Sequence, residues 1–417
     1  MNKKHRKQLN DHLDRFLHDM LSVLGRSERR DAAAQYVQGL LSEFERKTAF
    51  TIGNRFGGLD GQAIQQLLQA SPWDPLALHQ SLNRKAIAEL KPTEVLVIDD
   101  TGFPKRGTHS VGVARQYSGT LGKVDNCQVA VSLHYATASA SFPLGWSLYL
   151  PEAWIADPVR RKKARIPDRV VFRKKWELAL DLLDTAVADG IAPGIVIADA
   201  GYGVGKEFRD GLTARQLQYN LGITEIAIFF RVPTQRKAVP GNGKYRGKTY
   251  YRYDRNLLPE AASAIAVAIP ETGWETIEYG KGTRKPLRGR FAALRVQPAA
   301  GYDRDEPEEP MHWLLIQKLD DPKQPYKYFL SNQPESTSVV QLVKTAKMRW
   351  RIESDYERLK GEVGLDHYEG RSWPGWYHHV ALATMAYLFL TIERLNGEFP
   401  PSNSTIVPVV HPTGHTS

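Results

Sequence analysis

Two apolar stretches of this 417-residue chain end in carboxylates. Residues 95–98 read as a β-strand and run directly into Asp99 and Asp100, and the apolar stretch 195–198 runs into Asp199. An ionised carboxylate is costly to bury unless a cation compensates it. A solvated turn at the end of a strand would account for either case alone. The alternative is a set of metal-binding acids, because carboxylate oxygens are ligands that Mg²⁺ takes.

A metal site for phosphoryl chemistry needs a third acid on a rigid element, and the segment 347–373 supplies a candidate. At 100° per residue, Arg349, Glu353 and Lys360 share one face of an α-helix within about 40°. Glu353 could there bind a metal, while Arg349 and Lys360 could hold nucleic-acid phosphates. An exposed helix with ion pairs is the alternative, because Arg349 and Glu353 also form an i, i+4 pair.

The elements that would position these residues follow from hydrophobic periodicity. Residues 1–90 have helical spacing with Gly and Pro between the helices, and predict a helical domain that either only packs or binds DNA ends. Residues 91–230 mix strand-type runs with an amphipathic helix and predict the first part of an α/β core. Residues 231–335 predict a β-rich insertion, residues 336–394 the helical part of the core with the third acid, and residues 395–417 a disordered tail.

The spacing around Glu353 resembles that of bacterial insertion-sequence transposases of the DDE type, whose helix motif reads Tyr-x2-Arg-x3-Glu-x6-Lys. Arg349, Glu353 and Lys360 match this motif, while Ala346 stands at the tyrosine position. The stretches IDDTGFPKRGTHSVGVARQYSG, VIADAGYG and GLDHYEGRSWPGWYHHVAL are similar to the 701 branch of these elements. The resemblance covers residues 95–390 and implies an α/β fold, namely an RNase H-like mixed sheet flanked by helices. The β-rich insertion would interrupt this sheet, and the helical N-terminal domain would precede it.

The resemblance also implies that Asp100, Asp199 and Glu353 are the catalytic, metal-binding triad. Two Mg²⁺ ions, with Mn²⁺ as a substitute, would activate the attacking hydroxyl and stabilise the leaving oxygen of an in-line displacement. Successive strand residues point to opposite faces, so only one of Asp99 and Asp100 faces the site. Asp100 is favoured because an acid followed by Thr is the common form of the family motif, and Asp99 is the alternative first acid.

Basic residues outnumber acidic ones, 56 Lys and Arg against 46 Asp and Glu, and the net charge of +10 favours a polyanionic partner. Two runs, 160–175 and 281–295, concentrate this charge. Each run is either a solvated face or a surface that binds phosphates, with Trp residues nearby for stacking. The predicted DNA-binding residues are Lys105, Arg106, Arg160, Arg161, Lys162, Lys163, Lys281, Arg284, Lys285, Arg349 and Lys360.

These features together predict a DNA transposase that cleaves DNA at the ends of an insertion sequence and joins them to a target by a cut-and-paste mechanism. Its DNA partners would be the terminal inverted repeats and the target, both double-stranded. The resemblance to the family also implies a second copy of the chain in the synaptic complex. A catalytically silent regulator derived from a transposase and a DNA endonuclease without strand transfer are the alternatives. A haloacid-dehalogenase phosphatase is excluded because residue 101 is Thr instead of Asp, and a P-loop NTPase because its motif is absent.

The single cysteine, Cys127, allows no intrachain disulfide and favours a reducing compartment. The first residues contain no apolar signal region, and the longest apolar stretch, 380–392, is too short to span a bilayer. The expectation is therefore a protein of the bacterial cytoplasm that associates with the nucleoid and has no membrane partner.

Overall fold

The structure is a computed structural model that describes residues 3–56, 58–90, 94–119, 121–235, 237–247, 249–252, 257–282, 285–299 and 309–397. Its contacts divide the chain into two compact units. Unit 1 holds the described residues of Met1–Thr93, Asp99–Ala192 and Trp350–Ser417, and unit 2 holds those of Glu94–Ile98 and Pro193–Arg349. The five segments predicted from the sequence stay predictions, and most of the predicted tail, from residue 398 onward, lies outside the described residues.

The described helices are, in chain order, α1 (Lys3–Leu21), α2 (Ser27–Leu40), α3 (Ala49–Phe56), α4 (Gly61–Gln69), α5 (Pro75–Glu89), α6 (Glu152–Ile155), α7 (Pro158–Ala164), α8 (Lys175–Ala188), α9 (Ala200–Gly203), α10 (Lys206–Ala214), α11 (Ala262–Val267), α12 (Val339–Lys347), α13 (Trp350–Gly361) and α14 (Trp373–Leu395). Short 3₁₀ turns lie at Ser22–Leu24, Gly243–Tyr245 and Glu271–Gly273.

The described strands are β1 (Val95–Pro104), β2 (Ala114–Ser118), β3 (Lys123–Ala136), β4 (Ser141–Leu148), β5 (Ile195–Ala198), β6 (Tyr219–Ile223), β7 (Ile228–Phe230), β8 (Lys237–Pro240), β9 (Thr249–Arg252), β10 (Glu260–Ala261), β11 (Glu275–Lys281), β12 (Pro286–Pro298), β13 (His312–Lys318) and β14 (Tyr326–Ser331).

Helix α14 is the centre of the helical part of unit 1. A helix that is apolar on all sides must be covered by other elements, and nearly every residue of α14 from Gly375 to Glu393 is buried. Helices α2, α4 and α5 pack against it, and α1 packs on α2 and α5. The helical interpretation of the first ninety residues is thereby confirmed. Among the described helices, α14 included, none has the length and hydropathy that crossing a membrane needs.

The strands of unit 1 are built around β3. This strand is a neighbour of β1 in the sheet and pairs in antiparallel fashion with β2 and β4. Residues 127–136 of β3 are all buried. Helix α8 packs on β3 and β4, and α13 and α14 pack on β4. The second half of β1 therefore lies among covered strands, although it begins with two carboxylates.

The sheet of unit 2 begins with the first half of β1. This half pairs in parallel with β5, and β5 pairs in parallel with β6. The sheet continues in antiparallel order through β14, β13 and β12, with β11, β7 and β10 beyond. Helix α12 packs on β5, β6, β11 and β12, and α11 packs on β14. Strands β8 and β9 form a separate two-stranded sheet.

Unit 1 contains antiparallel strands and unit 2 contains parallel ones, and an RNase H-like fold combines both kinds of strand in a mixed sheet. Strands β1, β5 and β6 are parallel to one another, and β3 and β4 are antiparallel. Parallel strands are covered on both faces, which explains why residues 95–98 and 195–198 are continuous apolar runs. The predicted fold class, an RNase H-like mixed sheet flanked by helices and preceded by a helical N-terminal part, is confirmed.

Candidate active site

The first pair of acids lies in the middle of β1, and residues 101–103 beyond it are buried again. Residues 95–98 are buried, whereas Asp99 and Asp100 are partly accessible. The carboxylate of Asp100 accepts a hydrogen bond from Nζ of Lys175 through Oδ2 at 2.9 Å. The Oδ1 of Asp99 accepts the backbone N–H of Asp100 at 2.8 Å. Lys175, at the first position of α8, is thus the cation that compensates the carboxylate of Asp100 in unit 1.

Helix α13 is joined to the same strand by Lys360. Its Nζ donates to Oγ1 of Thr101 at 2.7 Å and to the carbonyl oxygen of Gly102 at 2.8 Å. Burial lowers the pKa of Lys360 to about 8, and the negative charge of Asp366 opposes this shift. Lys360 therefore holds α13 against β1, and its predicted contact with DNA stays a prediction.

Tyr356 places the middle of α13 beside the two acids. Its hydroxyl lies 2.7 Å from Oγ of Ser132 on β3. Burial, and after it the charge of Asp99, raises the pKa of Tyr356 well above its ordinary value, and the charge of Asp100 adds to the shift. Glu353, one turn before Tyr356 on the same helix, is exposed. Within unit 1, the helix that carries Glu353 is therefore held next to the strand that carries Asp100.

Arg349 does not belong to this helix, and the predicted common face of Arg349, Glu353 and Lys360 needs correction. Helix α12 ends at Lys347 and α13 begins at Trp350, so Arg349 lies in the turn between them. The backbone N–H of Met348 bonds to the carbonyl of Thr345, a tightening of the last turn that closes α12. Glu353 and Lys360 remain on one helix, seven residues apart as predicted.

Asp199 follows β5 in unit 2 and begins the short helix α9. Its Oδ1 accepts the backbone N–H of Gly201 at 2.9 Å. The turn presses against β6, because a Cβ on Gly203 would lie 2.1 Å from the carbonyl oxygen of Gly222. A Cβ on Gly222 would in turn lie 2.9 Å from the backbone nitrogen of Ala200. The glycines of the Asp-Ala-Gly-Tyr-Gly stretch thus allow the backbone that carries Asp199 to lie directly on the sheet.

We expect Gly203→Ala to lower the free energy of unfolding by about 1–3 kcal/mol or more, since the new methyl group would overlap β6 backbone. Gly205→Ala is the matched control, because a Cβ there meets its nearest atom at 3.6 Å. Urea denaturation of both variants measures the difference. Equal unfolding midpoints for the two variants would contradict the close packing of this turn.

The donor set fits a hard divalent cation. Carboxylate oxygens are preferred by Mg²⁺ and Mn²⁺, and the three predicted ligands are all carboxylates. Asp100 and Glu353 belong to unit 1, and Asp199 belongs to unit 2. In the part of the chain that the structure describes, no group of three or more His, Cys, Asp or Glu side chains is gathered in a metal-binding arrangement.

A cavity of about 990 Å³ opens in unit 1 where β1 ends. Its walls include Lys105 and Arg106, together with Arg46 and Arg371. The ammonium group of Lys105 donates to the carbonyl oxygen of Tyr368 at 2.6 Å. Burial lowers the pKa of Lys105 to about 8. Three acids, Asp125, Asp366 and Glu369, also line the cavity, and Glu369 pairs with Arg46 at 2.5 Å. The four Lys and Arg side chains outnumber these acids, and one of the cations, Lys105, is largely withdrawn from solvent.

A second cavity of about 490 Å³ adjoins the first, since His109 and Arg371 line both. Arg160 and Lys163 contribute its positive charge. The guanidinium of Arg160 lies 3.7 Å from the ring centroid of Trp154, which holds it in place. The cations around the two cavities form what we call the basic wall, made of Arg46, Lys105, Arg106, Arg160, Lys163 and Arg371.

The other predicted DNA-binding residues of the first run differ in their surroundings. Arg161 donates to the carbonyl oxygens of Val170 and Pro167, both at 2.9 Å, and so holds its own loop. Lys162 is exposed. Arg161 therefore stabilises the loop that follows α7, a role that the basic run in the sequence does not indicate.

The second basic run lies mainly on β12 of unit 2, where acids from neighbouring elements approach it. Arg288 bonds to Glu278 at 3.1 Å, and Arg290 bonds to Glu271 at 2.6 Å. Lys285 is exposed. Arg284 and the side chain of Lys281 lie outside the described residues. Part of the charge of this run is therefore compensated by acids that are distant in sequence.

Comparison with known proteins identifies the family. A family model described as "DDE superfamily endonuclease" matches residues 19–286, which is more than half of the chain. The protein described as "Probable transposase for insertion sequence element IS701" from Microchaete diplosiphon is 33% identical over 187 residues, 44% of this chain and 46% of that protein. The match thus spans about half the length of this curated relative. The resemblance to insertion-sequence DDE proteins is confirmed, and the chain belongs to the DDE superfamily endonucleases.

Proposed function

We propose that the protein is a metal-dependent DNA transposase that cleaves DNA at the ends of an insertion sequence and transfers the strands to a target. The observation that carries this proposal is an acid on each of two paired parallel strands, Asp100 within β1 and Asp199 directly after β5, with Glu353 on a helix held to β1. Val97 of β1 pairs with Ile197 of β5. Along the chain, Asp100 follows Val97 by three residues within β1, and Asp199 follows Ile197 by two residues, directly after β5.

Asp100, Asp199 and Glu353 would hold two divalent cations, Mg²⁺ or in its place Mn²⁺. Such a pair activates an attacking hydroxyl and stabilises the leaving oxygen of an in-line phosphoryl transfer. The chain itself contributes the orientation of the ligands. Lys360 fixes α13 against β1, and the N–H of Gly201 fixes one oxygen of Asp199. Lys175 keeps the carboxylate of Asp100 compensated.

The substrate would be double-stranded DNA, as terminal inverted repeats and as target. The basic wall supports this assignment because six cations surround two adjoining cavities beside the end of β1. Neutralised phosphates release counterions, so affinity then depends steeply on salt. Exposed Lys162 and Lys285 and the turn residue Arg349 would add contacts. Action as a homodimer in the bacterial nucleoid follows from the way the family works.

We expect Arg160→Ala combined with Lys163→Ala to weaken DNA binding and to reduce the salt slope of log K by about 1 to 2, one step for each lost phosphate contact. Lys85→Ala is the control, because Lys85 lies on α5 of the same unit and pairs with Glu89. Fluorescence anisotropy at several salt concentrations measures the slopes. An unchanged slope in the double variant would remove these residues from the DNA surface.

DNA binding should also weaken as the pH rises through about 8, the pKa of Lys105. Burial favours the neutral amine, Asp366 and Glu369 oppose this shift, and Arg46 adds to it. Below about pH 8 the ammonium is charged and can bind a phosphate, and above it this charge is lost. Lys105→Arg keeps its charge throughout and should bind with less pH dependence. Equal pH profiles for the two proteins would contradict this role of Lys105.

One experiment separates transposition from the alternatives. Purified protein is incubated with Mg²⁺, a plasmid that carries the element's ends, and a target plasmid. Products joined to the target are expected. Cleaved ends without joined products would favour an endonuclease without strand transfer, and specific binding of the ends without cleavage would favour a silent regulator.

A further inference from the structure

A second acid on α13 is buried, in contrast to Glu353. Asp355 is 1% exposed and accepts three hydrogen bonds from side chains of unit 1. The donors are Nδ1 of His134 at 2.7 Å, Oγ of Ser141 at 2.6 Å and the hydroxyl of Tyr387 at 2.6 Å. These residues lie on β3, β4 and α14, so one carboxylate joins α13 to three other elements.

The same network returns to α13 through a second path. Nε2 of His134 lies 3.0 Å from Oγ of Ser132, and Oγ of Ser132 lies 2.7 Å from the hydroxyl of Tyr356. One direction of donation satisfies every member of this path, from the Tyr356 hydroxyl through Ser132 and His134 to Asp355. The rings of Trp146 and Tyr356 pack edge-on around His134, with centroids 5.8 and 5.5 Å away.

A network of this kind does more than add stability. A buried carboxylate is costly to desolvate, and apolar residues of similar volume often stabilise a fold as well or better. Directional hydrogen bonds, in contrast, restrict how a helix can rotate and slide. Asp355 lies two residues beyond Glu353, or about 200° around the helix axis. Fixing Asp355 in the interior therefore fixes the direction in which Glu353 points.

We propose that Asp355 and the hydrogen-bonded chain of His134, Ser132 and Tyr356, with Ser141 and Tyr387, form a positioning network that sets the rotation of α13. The network thereby orients the Glu353 carboxylate toward a divalent cation. The consequence for metal binding rests on the proposed function, whereas the hold on α13 does not. Asp355 and its partners are positioning residues, because they act through Glu353 and contact no reacting atom.

The test compares two buried tyrosines that each lose one hydroxyl. Tyr387→Phe removes a donor to Asp355, and Tyr36→Phe removes the hydroxyl that lies 2.8 Å from Nδ1 of His379 between α2 and α14. Both tyrosines are 1% exposed, so the two variants lose similar packing and similar hydrogen bonding. Amide hydrogen exchange of α13 in metal-free protein and Mn²⁺ affinity by electron paramagnetic resonance are measured for both, with urea unfolding as the stability reference.

In Tyr387→Phe the amides of α13 should exchange about fivefold faster, because the loss of one hydrogen bond destabilises the helix contact by about 1 kcal/mol. Its Mn²⁺ affinity should fall about tenfold, as for other residues that support metal ligands. Tyr36→Phe should leave both quantities unchanged. Asp355→Asn should accelerate α13 exchange and lower Mn²⁺ affinity more than Tyr387→Phe does. If Asp355→Asn does not fold, Tyr387→Phe alone provides the test. Equal effects of the two Tyr→Phe variants, or unchanged α13 exchange in Tyr387→Phe, would overturn the proposal.

The same data separate this inference from the proposed function. If Glu353→Gln binds Mn²⁺ with the same affinity as the wild type, the proposed metal site is contradicted. The exchange of α13 in the two tyrosine variants would still decide whether the network holds the helix.

Discussion

Asp199→Asn and Glu353→Gln are each expected to reduce cleavage of insertion-sequence ends by about 10²–10⁴-fold. Each change replaces a carboxylate ligand by a neutral amide of the same shape. Stabilisation of transition-state charge by a bound metal amounts to several kcal/mol, and each 1.36 kcal/mol corresponds to a factor of ten in rate. Single-turnover cleavage of a labelled end at saturating protein measures the loss, and DNA affinity measured in parallel should change little.

The chain offers a matched control for each of these variants. Glu357→Gln changes an exposed acid on the same helix as Glu353. Asp210→Asn changes an exposed acid of unit 2 that pairs with Lys206. Both controls should cleave at nearly the wild-type rate. If Asp199→Asn or Glu353→Gln cleaves like its control, that acid is not a ligand.

Asp100→Asn should reduce cleavage as strongly as Asp199→Asn, whereas Asp99→Asn should reduce it by less than about tenfold. The two side chains leave a strand on opposite faces, so only one can take part directly. Asp100 meets the cation Lys175, whereas one oxygen of Asp99 accepts the adjacent backbone N–H. The upper limit of about tenfold for Asp99→Asn is the loss of cleavage rate expected if the variant weakens only one hydrogen bond near the site.

The reverse order of effects would exchange the roles of the two aspartates. Lys175→Met helps to interpret the pair, because it removes the ammonium group that faces Asp100. If Asp100 is a ligand, this variant should reach half-maximal cleavage at a lower Mn²⁺ concentration than wild type. A smaller shift is expected if Asp99 is the ligand instead, because the ammonium group then pairs with an acid that does not hold the metal.

The positions of the acids could be predicted because parallel strands leave a clear pattern. Apolar runs of four residues followed by carboxylates predict β1 and β5, and both strands are found with their parallel pairing. Strand β5 ends before Asp199 as predicted, whereas β1 continues past its two acids to Pro104. The spacing of Glu353 and Lys360 likewise predicted one helix for both residues. These features are local, so the sequence records them directly.

Contacts between distant residues could not be predicted in this way. Lys175 closes the basic run 160–175, which the sequence predicts to be either a solvated face or a phosphate-binding surface, yet it bonds to Asp100, 75 residues away. Asp355 belongs to an acid-rich helical stretch that resembles a solvated face, and only the approach of β3, β4 and α14 buries it. The sequence also lacks a Gly or Pro between α12 and α13, so the break before Trp350 left no signal.

Iron-mediated cleavage of the protein tests most directly whether Asp100, Asp199 and Glu353 share a metal site. Fe²⁺ replaces Mg²⁺ in the protein, and ascorbate with peroxide then generates radicals that cut the nearby backbone. We predict cuts close to residues 100, 199 and 353 in one sample, which Mg²⁺ suppresses and which Glu353→Gln abolishes. Cuts at only one of the three segments, or cuts that Mg²⁺ does not suppress, would contradict a common site.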